Sequence, residues 1–135
     1  MSFHSKSLPP PTVDEEARFV AMKESGCLLC LENGVKLSAE IHHLKSGNVR
    51  IGHRFTIALC SWHHRRVPVE ILGATITMSE TVSLMDGSRK FHATYGSDQE
   101  LLNRQDAMIE WPRIEIPNRR MKKRRPTKKI YRRPQ

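Results

Sequence analysis

The feature that most constrains this chain is a concentration of cysteine and histidine in its first half. All three cysteines and five of the seven histidines lie between residues 27 and 64 of the 135 residues. The histidines include two adjacent pairs, His42-His43 and His63-His64, and each pair follows an apolar run. One buried histidine usually belongs to an ordinary core, but a grouping of metal-ligand residue types favours metal sites. The region therefore predicts a core organised around metal.

Four of these residues have the spacing of a zinc knuckle. Two residues separate Cys27 from Cys30, and Cys60 and His63 repeat this spacing with histidine in the second place. Zinc prefers four tetrahedral thiolate or imidazole ligands, and a Cys-x-x-Cys turn provides two of them together. Because the four residues make a complete Cys3His set with no cysteine left over, we expect a structural Zn²⁺. The alternative is a group of ordinary buried thiols.

Helix caps and chain breaks predict the first elements of a small α+β fold. Thr12 and Glu15 form a capping box that opens a helix, and Gly26 ends it. Helical spacing places four residues on one face of this helix: Val13, Ala17, Val20 and Ala21.

A strand–strand–helix unit is predicted next. A strand over residues 37–44 carries the first histidine pair, residues 45–53 form a hairpin loop, and residues 54–59 return as the second strand. Ser61 is suited to cap a helix that begins at Trp62.

The second half is less regular. Residues 69–85 favour one or two strands or an irregular cover. Gly96 ends a short helix that begins near Gly87, and a capping box over residues 97–100 opens a last helix. The apolar side predicted for this helix consists of Leu101, Leu102, Gln105 and Met108 or Ile109. We expect a flexible lead over residues 1–11 and one zinc-stabilised domain over residues 12–112.

The net charge of +9 is concentrated in a carboxy-terminal segment. Ten Lys or Arg and no acidic residue lie between 118 and 135, which leaves 13 basic and 14 acidic residues before them. Such a block stays solvated and binds nucleic acid phosphates without base specificity. Residues 113–135 are thus predicted to be a disordered DNA-binding tail, with a solubilising tail as the alternative. Its candidate contacts are Arg119, Arg120, Lys122, Lys123, Arg124, Arg125, Lys128 and Lys129.

Export and membrane insertion are not indicated. Residues 1–11 lack a signal-peptide apolar core, and no eighteen apolar residues run together. Three cysteines cannot pair completely into disulfides. We therefore expect a cytoplasmic protein with no membrane partner.

The histidines outside the zinc set form a candidate catalytic centre. Adjacent helical residues project about 100° apart, so His64 can face away from the zinc and towards the hairpin. Successive strand residues face opposite sides, so His42 and His43 are expected to differ in role. One would bind a divalent metal ion with His64, and the other would take a proton from the water that attacks a phosphodiester. Three flanking residues are candidate phosphate contacts or solvated surface: Lys45, Arg65 and Arg66.

These motifs resemble the HNH, or ββα-metal, endonucleases. The matching segments are Cys27-x-x-Cys30, Ile41-His42-His43-Leu44, Gly52-His53, Thr56 to His64 and Phe91-His92-x-x-Tyr95-Gly96. Within that group the chain is most similar to the Ref nucleases, the recombination-enhancement, RecA-dependent nucleases of temperate phages. The resemblance implies DNA hydrolysis with Mg²⁺ or Mn²⁺ and a RecA-type filament as partner. A phage origin would place the protein in the cytoplasm of a bacterial host.

The resemblance also implies a role for each histidine. His43 would be the general base, His42 a metal ligand from the first strand and His64 a ligand from the helix. His53 would take the central position that steadies the loop. Pro68 occupies the place of a further helix ligand, so His92 is expected to substitute for it. The basic tail is carboxy-terminal here, whereas the resemblance associates such an arm with the amino-terminal side.

Two other functions compete with the nuclease. A non-catalytic zinc module that binds nucleic acid would explain the Cys3His set and the tail, but it leaves His42, His43 and His64 without a task. A small phage regulator could instead bind a host protein through residues 67–88. The sequence indicates neither the oligomeric state nor the form of the DNA substrate.

Overall fold

The computed structural model describes residues 8–76 and 81–117. The tail contacts predicted from Arg119 onward lie outside these ranges. The elements are, in order, α1 (Val13–Ser25), α2 (Leu28–Glu32), β1 (Glu40–His43), β2 (Lys45–Ser46), β3 (Val49–Arg50), β4 (Thr56–Leu59), α3 (Ser61–Arg65), β5 (Val69–Ile71), β6 (Ala74–Ile76), a 3-10 turn (Leu84–Asp86), α4 (Ser88–Tyr95) and α5 (Asp98–Met108). This composition confirms the predicted α+β class.

Helix α1 begins at the predicted capping box. The Thr12 hydroxyl accepts from the Glu15 amide at 3.1 Å, and the Glu15 carboxylate accepts from the Thr12 amide at 2.9 Å. Gly26 ends the helix with φ of 93°, where a Cβ would lie 2.7 Å from a backbone oxygen. The face predicted from apolar spacing is not the buried one, because Val13 and Val20 are 83% and 56% exposed.

The buried face of α1 carries Arg18 and Met22 instead. Arg18 donates to Asp106 Oδ1 at 2.7 Å and to the Thr56 carbonyl and hydroxyl oxygens at 2.8 and 3.1 Å. Arg54 also pairs with Asp106. A buried charge is tolerated only when it is paired and hydrogen-bonded, which these contacts achieve. The network ties α1 and α5 to strand β4.

Strands β1 and β4 form the predicted antiparallel hairpin. Glu40 pairs with Leu59 and His43 pairs with Thr56, while β2 and β3 form a smaller ladder inside the connection. Strand β1 is shorter than the predicted 37–44, and it is half-buried whereas β4 is fully buried. Helix α3 follows at once, which confirms the order strand, strand, helix.

The cap of α3 differs from the prediction. Cys60 is the N-cap, and its sulfur accepts from the His63 amide at 3.5 Å. Ser61 is already helical, and its hydroxyl donates to the Val67 carbonyl at 2.9 Å. The cap therefore belongs to one of the predicted zinc ligands.

The remaining elements close the core. Strands β5 and β6 form a hairpin over residues 69–76, which matches the two-strand alternative for this part of the predicted 69–85 segment. The capping box of α5 is present, and Leu101, Leu102 and Gln105 are buried as predicted, whereas Ile109 lies past the helix end. These residues pack with α2, β4 and Phe91 of α4. Among the described residues, no helix is both long enough and apolar enough to cross a membrane.

Candidate functional site

The Cys3His cluster is assembled where α2 meets α3. Cys27 precedes α2, Cys30 lies within it, Cys60 caps α3 and His63 lies in the first turn of α3. All four are between 0 and 5% exposed, and their ligand atoms lie within 4.8 Å of one another. The three thiols are free. The two Cys-x-x-Cys-type spacings therefore converge on one buried point.

The distances within the cluster fit a tetrahedral zinc ion. His63 Nδ1 lies 3.6 Å from the sulfurs of Cys27 and Cys30 and 3.2 Å from that of Cys60. The sulfurs of Cys30 and Cys60 are 3.9 Å apart. With Zn–S bonds of about 2.3 Å and Zn–N bonds of about 2.0–2.1 Å, tetrahedral ligand atoms lie about 3.5–3.8 Å apart. The cluster can bind a metal ion, and its donors and dimensions match zinc.

The electrostatics of the cluster also favour a cation among the sulfurs. Hydrogen bonds with Cys27 and Cys30 hold the pKa of the Cys60 thiol far below its ordinary value. Hydrogen bonds with Cys27 and Cys60, together with burial, raise the pKa of Cys30. Burial opposes the charged form of His63, but hydrogen bonds with Cys27 and Cys60 raise its pKa to about 9. Negative charge is thus favoured on the Cys60 sulfur beside a positive His63 ring, and a bound metal ion would take the place of the ring proton.

His64 turns away from this cluster and lies beside His42 of β1. The two ring centroids are 5.1 Å apart. His64 Nδ1 lies 2.8 Å from Glu40 Oε1, and Arg65 binds the same carboxylate. Hydrogen bonds from Arg65 hold the pKa of Glu40 down to about 2, although burial opposes this shift. Because an ionised carboxylate only accepts, Nδ1 of His64 is the donor and Nε2 of a neutral ring keeps its lone pair.

Glu40 is a site residue that sequence reasoning missed. It lies two positions before His42 on β1, so the two share one face of the strand. That period of two is the signal that would have identified it. Its carboxylate orients His64 in the manner of the outer-shell partners of metal-binding histidines.

A cleft of about 380 Å³ adjoins His42. Its lining includes His42, His43, Lys45, Asn48, His92 and Asp98. His92 Nε2 lies 2.8 Å from Asp98 Oδ1, which is a second carboxylate–histidine pair. Burial, and then the positive charges of His64, His43, Lys45 and His92, lower the pKa of His42 to about 4. His42 is therefore neutral near pH 7 and able to bind a cation.

His43 lies on the other side of the strand, next to His53. His43 Nε2 and His53 Nδ1 are 2.9 Å apart, and His53 Nε2 lies 2.7 Å from the Pro9 carbonyl oxygen. The ring of Phe19 contacts both imidazoles edge to face. Burial, followed by the positive charge of Arg50 and by that of His53 when His53 is protonated, lowers the pKa of His43 to about 4. A neutral imidazole at the edge of the cleft can accept a proton.

The predicted phosphate contacts have different surroundings. Lys45 is exposed and lines the cleft. Arg65 pairs with Glu40, and Arg66 pairs with Asp86 while its guanidinium lies 4.8 Å from the Trp62 ring. Sequence analysis also missed Arg50, which lies opposite Lys45 in the β2–β3 ladder. The cross-strand position of Arg50 places a second cation beside the cleft.

The structure brings the predicted ligands together to different degrees. Among residues 8–76 and 81–117, the Cys3His set is the cluster of side chains that could hold a metal ion. Its ligand atoms lie within 4.8 Å of one another. His42, His64 and His92 do not form such a tight group. His42 and His92 line the cleft, and His64 lies beside His42. A carboxylate already orients His64 and His92.

A Cys3His cluster beneath a strand–strand–helix unit, with histidines at the edge of a cleft, defines a small α+β domain that can bind a metal ion. Residues 11–110 match the family described as recombination enhancement, RecA-dependent nuclease. The match covers most of the chain, and the protein belongs to this family. Family membership supports a nuclease role in recombination. No match was found among the curated proteins.

Proposed function

We propose that this protein is an HNH endonuclease that hydrolyses DNA phosphodiester bonds with the help of a divalent metal ion. The observation that carries the proposal is the pairing of His42 with His64 next to a cleft that His43 also lines, within a chain of a nuclease family. Residues 12–112 would form the nuclease domain. The domain combines a structural zinc with a separate hydrolytic centre.

The hydrolytic metal would be held by His42, His64 and His92. When bound, Mg²⁺ or Mn²⁺ offsets the negative charge that grows on the phosphate during cleavage. Imidazole nitrogens suit transition ions, whereas carboxylate oxygens suit both Mg²⁺ and Mn²⁺. Glu40 and Asp98 bring oxygens next to two of the three imidazoles. Three imidazole ligands, two of them oriented by a carboxylate, fit Mn²⁺ better than Mg²⁺.

His43 would act as the general base. Its lowered pKa keeps the imidazole neutral near pH 7, so that it is ready to take a proton from water. Lys45 lines the same cleft and would bind the phosphate, with Arg50, Arg65 and Arg66 as further cations around it. His53 would hold the loop that precedes β4.

DNA engaged by a RecA-type filament is the proposed substrate, on the basis of the family. The ten basic residues after position 117 would add affinity through counterion release from phosphates. Because these contacts are independent of base sequence, the tail would strengthen binding without setting the cleavage site.

A cleavage assay on supercoiled and single-stranded DNA tests the proposal, with Mg²⁺ or Mn²⁺ and with or without a recombinase filament. His43→Ala should lower the rate by on the order of 10²–10⁴-fold, since general base catalysis contributes about this factor. Zinc content should remain unchanged and the domain should stay folded, because His43 does not contact the Cys3His cluster.

A non-catalytic zinc module makes the opposite prediction. It would bind DNA but would not cleave any of these substrates with either metal. Equal cleavage by wild type and His43→Ala would instead remove His43 as the base.

A further inference from the structure

We infer that His53 and the main-chain carbonyl of Pro9 fix His43 in a single tautomer, with the basic lone pair on Nδ1. This inference rests on the proposed function, since it specifies which atom of the general base receives the proton. His53 is then a positioning residue for His43. We call the chain of hydrogen bonds from His43 through His53 to the Pro9 carbonyl the relay. Its last acceptor lies in the amino-terminal segment that was expected from sequence to be flexible.

The direction of each hydrogen bond follows from the chemistry of the Pro9 carbonyl. A carbonyl oxygen only accepts, so His53 Nε2, at 2.7 Å, must carry the hydrogen. With His53 in its neutral form, the ring has a single N–H, which Pro9 engages, so His53 Nδ1 is an acceptor. His43 Nε2, at 2.9 Å from that atom, must then donate. The same rule applied to neutral His43 leaves the lone pair on its Nδ1.

The ring of His53 is held by several contacts. The Thr56 hydroxyl donates to the His53 carbonyl at 2.9 Å, and buried Arg18 donates to that hydroxyl at 3.1 Å. The Phe19 ring lies edge to face against both imidazoles, with centroid distances of 6.1 Å to His43 and 5.8 Å to His53. The tautomer of His43 is fixed only if His53 keeps its position, and these contacts hold His53 in place.

The amino-terminal acceptor is suited to its role. Pro9 is followed by Pro10 and Pro11, so the Pro9 carbonyl belongs to a peptide without an N–H group. Proline also restricts the residue before it to extended conformations, which limits the orientations open to this carbonyl. Pro9 lies outside the segment that matches the nuclease family, which begins at residue 11. The relay therefore ends in a part of the chain that the family match does not include.

Nitrogen NMR of the full chain, labelled with ¹⁵N-histidine and loaded with zinc, tests the tautomer directly. His43 and His53 should both show a protonated Nε2 and an unprotonated Nδ1 near pH 7. A protonated Nδ1 on His43 would overturn the inference, and this measurement requires neither a variant nor DNA cleavage.

Two substitutions at His53 separate hydrogen bonding from packing. His53→Phe keeps an aromatic ring against Phe19 but removes both hydrogen bonds, whereas His53→Gln retains one acceptor and one donor. In His53→Phe, we expect His43 to become a mixture of tautomers and cleavage to fall on the order of tenfold to a hundredfold, which is less than the roughly 10²–10⁴-fold expected for loss of the base itself. His53→Gln should restore most of the Nε2-protonated form and most of the rate.

The outcomes distinguish this inference from the proposed nuclease activity. If His53→Phe keeps the tautomer and rate of the wild type, the relay is wrong while the nuclease stands. If the wild type cleaves no DNA but its NMR spectrum shows the expected tautomers, the activity is wrong and the relay stands. Zinc content and thermal unfolding, measured on both variants, report whether either substitution has disturbed the fold.

Discussion

The Cys3His cluster and the histidine-lined cleft use the same residue type for different purposes. The cluster is buried, and its four ligand atoms lie within 4.8 Å of one another. Around the cleft, His42, His43 and His64 are partly exposed, and each ring is held by a different neighbour. A closed set of four ligands is typical of structural zinc, whereas a catalytic ion needs open positions.

The boundary between the two sites runs between adjacent residues. His63 faces the sulfurs, and His64 faces Glu40 and His42, because neighbouring helical side chains diverge by about 100°. One helical turn of α3 therefore serves both sites. Placing the cluster at the start of α3 fixes the helix, and with it the position of His64.

The largest expected effect comes from Cys60→Ser. The substitution removes one zinc ligand and weakens the sulfur cap of α3, so we expect loss of zinc and unfolding of the domain at 37 °C. Structural zinc contributes on the order of 10 kcal/mol in small zinc-dependent folds. Zinc quantification and thermal unfolding measure the result. A folded, zinc-free variant would show that the cluster is dispensable for the fold.

The next effect concerns the buried ion network under the hairpin. Arg18→Met leaves Asp106 buried beside Arg54 alone, so we expect a loss of about 3–5 kcal/mol in the free energy of unfolding. Zinc should stay bound below the transition, because Arg18 contacts Thr56 and Asp106 rather than the cluster. Urea unfolding monitored together with zinc content measures both. Simultaneous loss of zinc and stability in native buffer would show that the two regions are not independent.

The adjacent histidines provide a third test. His64→Ala should keep zinc and the fold but weaken Mn²⁺ binding by on the order of a hundredfold, about 2.7 kcal/mol. His63→Ala is the matched comparison, since it should lose zinc. Calorimetric Mn²⁺ titration and zinc quantification on both variants check this. Equal Mn²⁺ affinity of His64→Ala and wild type would remove His64 from the hydrolytic centre.

Sequence reasoning succeeded where local spacing determines geometry. The Cys-x-x-Cys and Cys-x-x-His spacings place two ligands on each turn, and the capping boxes at Thr12 and Ser97 mark helix starts within four residues. The strand–strand–helix order followed from chain breaks of the same short range. These features depend on contacts between near neighbours, so the linear pattern contains them.

The missed features depend on partners that are distant in sequence. Arg18 is buried only because Thr56 and Asp106 lie 38 and 88 residues further on, and His53 finds Pro9 across 44 residues. Apolar spacing therefore selected the wrong face of α1. Glu40 shares the period of two with His42, but its role depends on His64, which lies 24 residues away. The polar residues around the cleft are thus defined by tertiary contacts, whereas the spacing within each pair of Cys3His residues is local.

The smallest expected effect tests whether the cleft has its own outer shell of polar support. Glu40→Gln keeps an oxygen that can accept from His64 Nδ1 but removes the charge, so Mn²⁺ affinity should fall about tenfold, at the lower end for outer-shell changes. The lowered pKa of Glu40 keeps its carboxylate ionised well below neutral pH, so the difference in Mn²⁺ affinity should persist from pH 8 down to pH 6.

Arg65→Ala is the control, because it removes the other partner of Glu40 and leaves the contact with His64. If both variants bind Mn²⁺ as wild type does while retaining zinc, Glu40 would be a surface ion-pair residue. The histidines at the cleft would then lack the carboxylate that orients a metal ligand, and nothing would distinguish them from a group of neighbouring histidines.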